Sequence, residues 1–420
     1  MATRDSAQPA DMPPNADGKG HTRRRFRRRL LAVTAVGWAA VGLFLGLLIV
    51  LPTPAVGLWP SLLLMYLAVF VGGGGYSLLL ALFAVLGLGL AALARRSGLR
   101  RTSLVAAAAG VVTVALSLVP VAQGWRTASQ EDVPLSLSEY FSLPSLDSPL
   151  ETVTYARPEG EELTLDIRRP PPESREVGPE PRPAVVTVHG GGGVTGSRTE
   201  DVLWSAWLAE EGYVVFSIDY RLGQRPLGQE VTADVKCAVG WVEQNAERYG
   251  VDPDRIALLG RSAGGVAALL AAYDDGDPQL TPSCDVRDTG VEAVAAFYTV
   301  TDQAGLDAWQ PPWWRPSLGD EYDPGGDSPE SGEGPFLVTS PTSHVDPADP
   351  PTFLTAGGAD QVTPPEQAEL LANRLEDEGV PHRLVRLPGA RHGFDGAWGS
   401  WDAQIVRHEL REFLENELAD

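Results

Sequence analysis

The chain has 420 residues, enough for more than one structural unit, and 33 basic against 55 acidic side chains give it a net charge of −22. Runs of arginine stand at 23–29 and 95–101, and the acidic balance of the rest of the chain argues against nucleic acid as a partner, which needs clustered positive charge. Arginine fills nearly every basic position, Lys19 and Lys236 being the lysines, and alanine and glycine abound, a GC-rich bacterial coding bias without functional weight.

Residues 1–29 read as a disordered, basic, cytoplasmic tail, polar and rich in Pro, Asp and Gly up to a run of arginines around Phe26. Region 30–124 reads as transmembrane, with about three helices at 30–51, 61–94 and 104–121, since a bilayer takes about 20 apolar residues to cross. At ~1.5 Å per residue the 61–94 stretch exceeds one membrane thickness. Its glycines 72–75 allow a hairpin of two spans or a kink in one tilted helix. The arginines of 23–29 and of 95–101 both favour the cytoplasm, and an odd number of spans satisfies both. Three spans are therefore expected. They make the protein multi-pass in the cell membrane, with the lipid bilayer as a partner and the following domain outside the cytoplasm. A cleaved signal peptide is the rival reading, and residues 22–26 resemble a twin-arginine export motif. Two further apolar stretches would still anchor the product.

Residues 125–150 are polar, contain Pro134, Pro144 and Pro149, and read as a linker to a domain at 151–420. An opening hairpin is expected at 151–156 and 162–167, then a proline-rich loop. From Ala184 short apolar strands alternate with longer amphipathic stretches, the pattern of an α/β fold with a mostly parallel sheet and helices on both faces. Strands are predicted at 184–188, 213–218, 256–259, 291–297, 352–356 and 382–387. Helices are predicted at 201–211, 230–249, 264–273, 365–378 and 401–418. The insertion 299–349, with Trp309, Trp313 and Trp314, is long for a compact domain and reads as a lid or a pocket wall, or else as an unstructured insertion.

Candidate chemistry sits at the ends of these strands. Gly260-Arg261-Ser262-Ala263-Gly264 is a G-x-S-x-G pentapeptide between a strand and a helix, the setting of a nucleophile elbow. His189-Gly190-Gly191-Gly192-Gly193 leaves a strand as a glycine loop whose bare N–H groups can face a developing oxyanion. Asp360 and His392 each follow a later strand. Asp360 also reads as a helix cap, with Asp302 and Asp346 as weaker acidic rivals. His189 reads as a support for the glycine loop rather than as a base. Asp219, Tyr220 and Arg221 read as a brace at the core edge. Arg261 either pairs with a carboxylate or biases the pocket toward an anionic acyl group. Cys237 and Cys284 flank the elbow and can be bridged or remain two buried thiols. No zinc spacing, P-loop or dinucleotide fingerprint occurs, so no metal or cofactor is expected.

The order glycine loop, Ser, Asp, His is that of the α/β-hydrolases. With 218–222 (IDYRL), 234–236 and 252–256 (DPDRI), about two thirds of the chain resembles that superfamily. Within it, the resemblance is to the hormone-sensitive-lipase and feruloyl/acetyl-esterase-like branches. Many lipase-like members carry an acidic residue before the serine, where Arg261 stands here. The resemblance implies Ser262 as nucleophile, His392 as general base and Asp360 as its orienting acid. It places the N–H groups of Gly191, Gly192 and Ala263 in the oxyanion hole. The implied substrate is a small-molecule carboxylic ester with a small to medium acyl group. A serine peptidase or amidase of the same fold, and a catalytically silent cell-envelope scaffold, are the alternatives. The oligomeric state is left open.

Overall fold

A computed structural model describes residues 17–52, 58–72, 76–172, 174–175, 181–223, 228–273, 276–303 and 338–419. The chain divides into two compact units. One comprises the chain up to Leu47 with Leu79–Leu116, and the other Leu48–Leu78 with Ser117–Asp420.

The first unit is helical, drawn from α1 (Asp17–Val50), α3 (Ser77–Arg96) and α4 (Arg100–Gln130). Ala35, Ala39, Ala91 and Ala106 are buried where the helices meet, because small side chains let backbones approach. Trp38 stacks on Phe83 with ring centroids 4.2 Å apart, and its Nε1 donates to the Phe83 carbonyl at 2.8 Å. Gly87 lies under that indole, where a Cβ would come within 2.8 Å of the ring. The 61–94 stretch, whose glycines left one kinked helix or two open, holds two helices: α2 (Leu58–Gly72) and α3. Four successive glycines, 72–75, are the poorest helix formers short of proline. Three helical stretches, Thr22–Val50, Ser77–Arg96 and Arg100–Gln130, are long and apolar enough to cross a membrane.

The second unit holds an eight-stranded sheet. In chain order its elements are β1 (Leu150–Ala156), β2 (Leu163–Arg168), β3 (Arg182–Val188), α5 (Val202–Glu210), β4 (Val214–Ile218), α6 (Gln229–Gln244) and α7 (Ala246–Tyr249). Then follow β5 (Val251–Arg261), α8 (Ala263–Ala272), β6 (Ala293–Phe297), β7 (Thr352–Gly357), α9 (Pro365–Glu378), β8 (His382–Leu387) and α10 (Trp401–Glu417). Strand order is β1-β2-β4-β3-β5-β6-β7-β8. The opening hairpin is antiparallel, β2 pairs antiparallel with β4, and the remaining pairs are parallel. This is the α/β-hydrolase fold expected from the alternating pattern.

Side chains alternate between the two faces of the sheet. Val186 and Val188 of β3 join α6, α8 and α9 in one core, and Val185 joins α5 and α10 in the other. The 230–249 helix is interrupted after Gln244 because the Asn245 side chain donates back to the Trp241 carbonyl at 2.7 Å, competing with the helical ladder. The stretch read as a linker is partly helical and partly packed. Helix α4 runs to Gln130 through Pro120, and Gln404 of α10 bonds both the N–H (2.8 Å) and the carbonyl (3.0 Å) of Ser136. Most of the 299–349 insertion, residues 304–337 with its three tryptophans, lies outside the described residues.

Candidate active site

The carboxyl ends of β3, β5, β6, β7 and β8 converge, as an open α/β sheet requires of its site. Ser262 stands between β5 and α8 at φ 50° and ψ −118°, a strained conformation for a side chain with a Cβ. Its N–H donates to the Phe297 carbonyl at 3.0 Å, which holds the turn against β6. The flanking glycines have no room for side chains. A Cβ on Gly260 would meet the Gly265 Cα at 2.6 Å, and one on Gly265 would meet Thr299 at 2.7 Å.

His392 follows β8, and its Nε2 lies 2.9 Å from Ser262 Oγ. Its Nδ1 lies 2.9 Å from Asp360 Oδ2. The Asp360 carboxylate is fully buried and the imidazole 13% exposed. Asp360 also serves the helix-entry loop it was read as capping, because Oδ1 accepts from Val362 N at 2.8 Å and Thr363 N at 3.0 Å. The two readings of this residue use different oxygens. Thr363 Oγ1, 2.9 Å from Asp360 Oδ2 and 2.8 Å from the Tyr298 carbonyl, completes the cage. The two acidic rivals stand apart: Asp346 accepts from Ala348 N in a turn, and the Asp302 N–H donates to Gln367. A hydroxyl bonded to an imidazole that is bonded in turn to a buried carboxylate can move a proton off the hydroxyl.

The glycine loop abuts this group, since a Cβ on Gly190 would lie 3.4 Å from Ser262 Cβ. Gly191 at φ 110° and Gly192 at φ 66° occupy the left-handed region that only glycine enters freely. Among the described residues, the backbone bonds of loops and turns include none donated by the N–H of Gly191 or Gly192. His189 is buried and stacked on Tyr220 at 4.2 Å, with Nδ1 2.7 Å from its neighbour's carbonyl. Burial lowers its pKa, which keeps the ring neutral. Tyr220 donates to the carbonyls of His189 and Gly190, Arg198 ties Asp219 to Asp166, and Arg221 forms a buried fork with Asp234. These side chains hold the loop from behind.

Arg261 is buried between Asp201 (2.6 Å) and Asp395 (2.8 Å) and stacks over Trp204 and Phe297. Burial works to lower its pKa, but the two carboxylates outweigh that and raise it, so the guanidinium stays charged. The carboxylate-pairing alternative is the one realised. Sequence reasoning missed the partners Asp201, Asp395 and Tyr298. Tyr298 donates to Asp395 at 2.7 Å and packs edge-on to His392 at 4.7 Å. Its position directly after β6 was the available signal. Cys237 and Cys284 are bonded, with Cα atoms 5.4 Å apart. Among the described residues no group of three His, Cys, Asp or Glu side chains is placed to hold a metal ion.

A mostly parallel sheet with a serine on a strained strand–helix turn, a histidine and a buried carboxylate beside it, defines an α/β-hydrolase of the esterase type. Comparison with known proteins agrees. The BD-FAE family model matches residues 165–375, a stretch that includes Gly191, Ser262 and Asp360 and stops before His392, and the chain belongs to this family. Esterase LipQ of Mycobacterium tuberculosis is 30% identical over 300 residues, 69% of each chain. The same organism's probable carboxylic ester hydrolase LipM is 32% identical over 55% of this chain, a match spanning 54% of LipM. The apo form of Thermogutta terrifontis esterase 2 is 26% identical, with a TM-score of 0.50 over 64% of this chain and 96% of that one. The same esterase phosphonylated by sarin is 27% identical with a TM-score of 0.50, covering 64% of this chain and 95% of that one. The chain is a carboxylic ester hydrolase.

Proposed function

We propose that this protein is a membrane-anchored serine esterase with Ser262, His392 and Asp360 as its catalytic triad. The observation that carries the reading is the pair of 2.9 Å contacts from Ser262 Oγ through the imidazole to a fully buried carboxylate. Ser262 Oγ attacks the ester carbonyl while His392 Nε2 takes its proton. Collapse of the tetrahedral intermediate breaks the bond to the alcohol, which leaves with that proton. Water gives a proton to His392 and attacks the acyl-serine, and the tetrahedral intermediate expels Ser262 Oγ, which takes that proton back as the acid is released. Asp360 holds the Nδ1–H tautomer and stabilises the imidazolium. The N–H groups of Gly191, Gly192 and Ala263 receive the oxyanion, each donor contributing about 10²–10³ in rate. The acyl group is small to medium, as the family resemblance implies.

The proposed organisation is a cytoplasmic tail to residue 29, a membrane region at 30–124 and a hydrolase from 151, with the insertion around 299–349 as a lid. Three spans fit contacts inside the second unit. The Arg391 guanidinium bonds carbonyls of residues 48–51, and Tyr140 meets Leu78 N and Tyr76. Gly389 and Trp401 lie against Gln123 and Gly124 of α4. The chain before α2 and the end of α4 thus meet the hydrolase, and the chain after α2 meets the segment that leads into it. Helix α2 then re-enters its own side of the membrane, α3 and α4 make the remaining crossings, and the arginines of 95–101 face the cytoplasm. A disulfide suits the opposite side.

The experiment is labelling of the full chain in detergent with a fluorophosphonate, read by peptide mass. One adduct on Ser262, lost in His392→Ala, supports the mechanism, and an adduct elsewhere contradicts it. A panel of p-nitrophenyl esters and aminoacyl amides separates esterase from peptidase. A C-terminal reporter active only in the cytoplasm would contradict the topology.

A further inference from the structure

The residue before His392 makes contacts that the reaction itself does not require. Arg391 is 4% exposed. Its Nη2 donates to the carbonyls of Leu48 (3.0 Å), Ile49 (3.4 Å) and Leu51 (2.8 Å), and its Nη1 donates to Gln361 Oε1 at 3.1 Å. Leu48 and Ile49 lie in the last turn of α1. The final carbonyls of a helix lack partners within it and carry the negative end of its dipole, so a cation there is favoured. Burial lowers the guanidinium's pKa and the Asp360 charge opposes that. The carbonyl cluster offsets the cost of burying it.

One side chain therefore grips the end of α1 and, through Gln361, the loop of Asp360, while its own backbone continues into His392. Two neighbouring contacts point the same way. A Cβ on Gly389 would meet Gln123 Oε1 of α4 at 2.5 Å, and α2 packs against residues 394–396 just past the imidazole. Both loops that carry His392 and Asp360 are thus held from the side of the apolar helices.

We propose that Arg391 is a positioning residue, which by clasping the backbone carbonyls of Leu48, Ile49 and Leu51 keeps the His392 and Asp360 loops in register and makes that stretch of chain a support of the catalytic site. The inference rests on the roles proposed above for Ser262, Asp360 and His392. Its physical basis is the steepness of catalysis in geometry, where a misplacement of about 1 Å costs about 10²-fold. An arginine that only stabilised the fold would affect melting without touching turnover by the folded enzyme.

The test uses the full chain in lipid nanodiscs with Arg391→Met, Arg391→Lys and Gln361→Ala. The readouts are kcat and KM on p-nitrophenyl butyrate, and thermal melting. Arg391→Met is expected to lower kcat about 10- to 100-fold with KM within about threefold. Arg391→Lys recovers part of the loss, because an ammonium can reach the carbonyls but not Gln361 as well. Gln361→Ala loses severalfold in kcat at unchanged melting. A lowered melting temperature with kcat in place overturns the proposal. If Arg391→Met does not fold, wild-type kcat in both other variants overturns it. Turnover surviving in Ser262→Ala would instead overturn the site reading, a failure distinguishable from any Arg391 result.

Discussion

Replacing Asp360 with asparagine separates its two jobs. Oδ1 accepts the N–H groups of Val362 and Thr363, and Oδ2 faces His392 Nδ1. An asparagine oriented by the two loop N–H groups keeps its carbonyl at Oδ1 and presents NH₂ at Oδ2. The imidazole must then accept at Nδ1 and carry its proton on Nε2, where it can no longer take the proton of Ser262. A wrong tautomer of this kind costs about 10⁴ in kcat, or about 5 kcal/mol of transition-state stabilisation. Folding stability, with the loop still capped, should change by less than about 1 kcal/mol. Asp360→Ala loses the loop acceptor too. It leaves two donors unsatisfied at about 1–3 kcal/mol each, so it should be both inactive and markedly less stable. The assay is kcat on p-nitrophenyl butyrate beside thermal melting of the full chain in detergent. A kcat for Asp360→Asn within tenfold of wild type would refute the reasoning. So would equal losses of stability in the two variants.

Three further outcomes are expected. Arg261→Met leaves the carboxylates of Asp201 and Asp395 buried without their cation and should cost about 3–5 kcal/mol in denaturant melts, well beyond Tyr298→Phe at about 1–3 kcal/mol. The Cys237–Cys284 bridge spans 47 positions around Ser262, and reducing it, or the Cys237→Ser/Cys284→Ser pair, should lower stability by about 4 kcal/mol on loop-entropy grounds. Asp402, in the first turn of α10, has one buried oxygen without a partner, and burial raises its pKa from 3.8 to about 7. The folded state therefore holds this proton more tightly. Its contribution is full below pH 4, declines as pH rises and is gone above pH 7, so Asp402→Asn should raise melting temperature at pH 8 and leave it unchanged at pH 4.

The parts of the fold that could be read locally are those whose cause is local. Residues 184–188 of β3 and 256–259 of β5 are short, mostly apolar runs because both faces of a central parallel strand are covered. Ser262, Asp360 and His392 stood out because each follows such a strand and glycines crowd the turns. What escaped is non-local. Asp395 meets Arg261 across 134 positions, Gln404 holds Ser136 across 268, and Arg391 reaches Leu48 across 343. Such pairs are chosen by packing and leave no periodic trace. The division of the 230–249 helix depended on one side chain, Asn245, turning back on its own backbone.

The most direct test is hydrolysis of p-nitrophenyl butyrate by the purified full chain beside Ser262→Ala, with both shown to be folded by melting. The account predicts turnover in the wild type and a fall of about 10⁶-fold in kcat, to background, in the variant. Undiminished turnover in Ser262→Ala would contradict it.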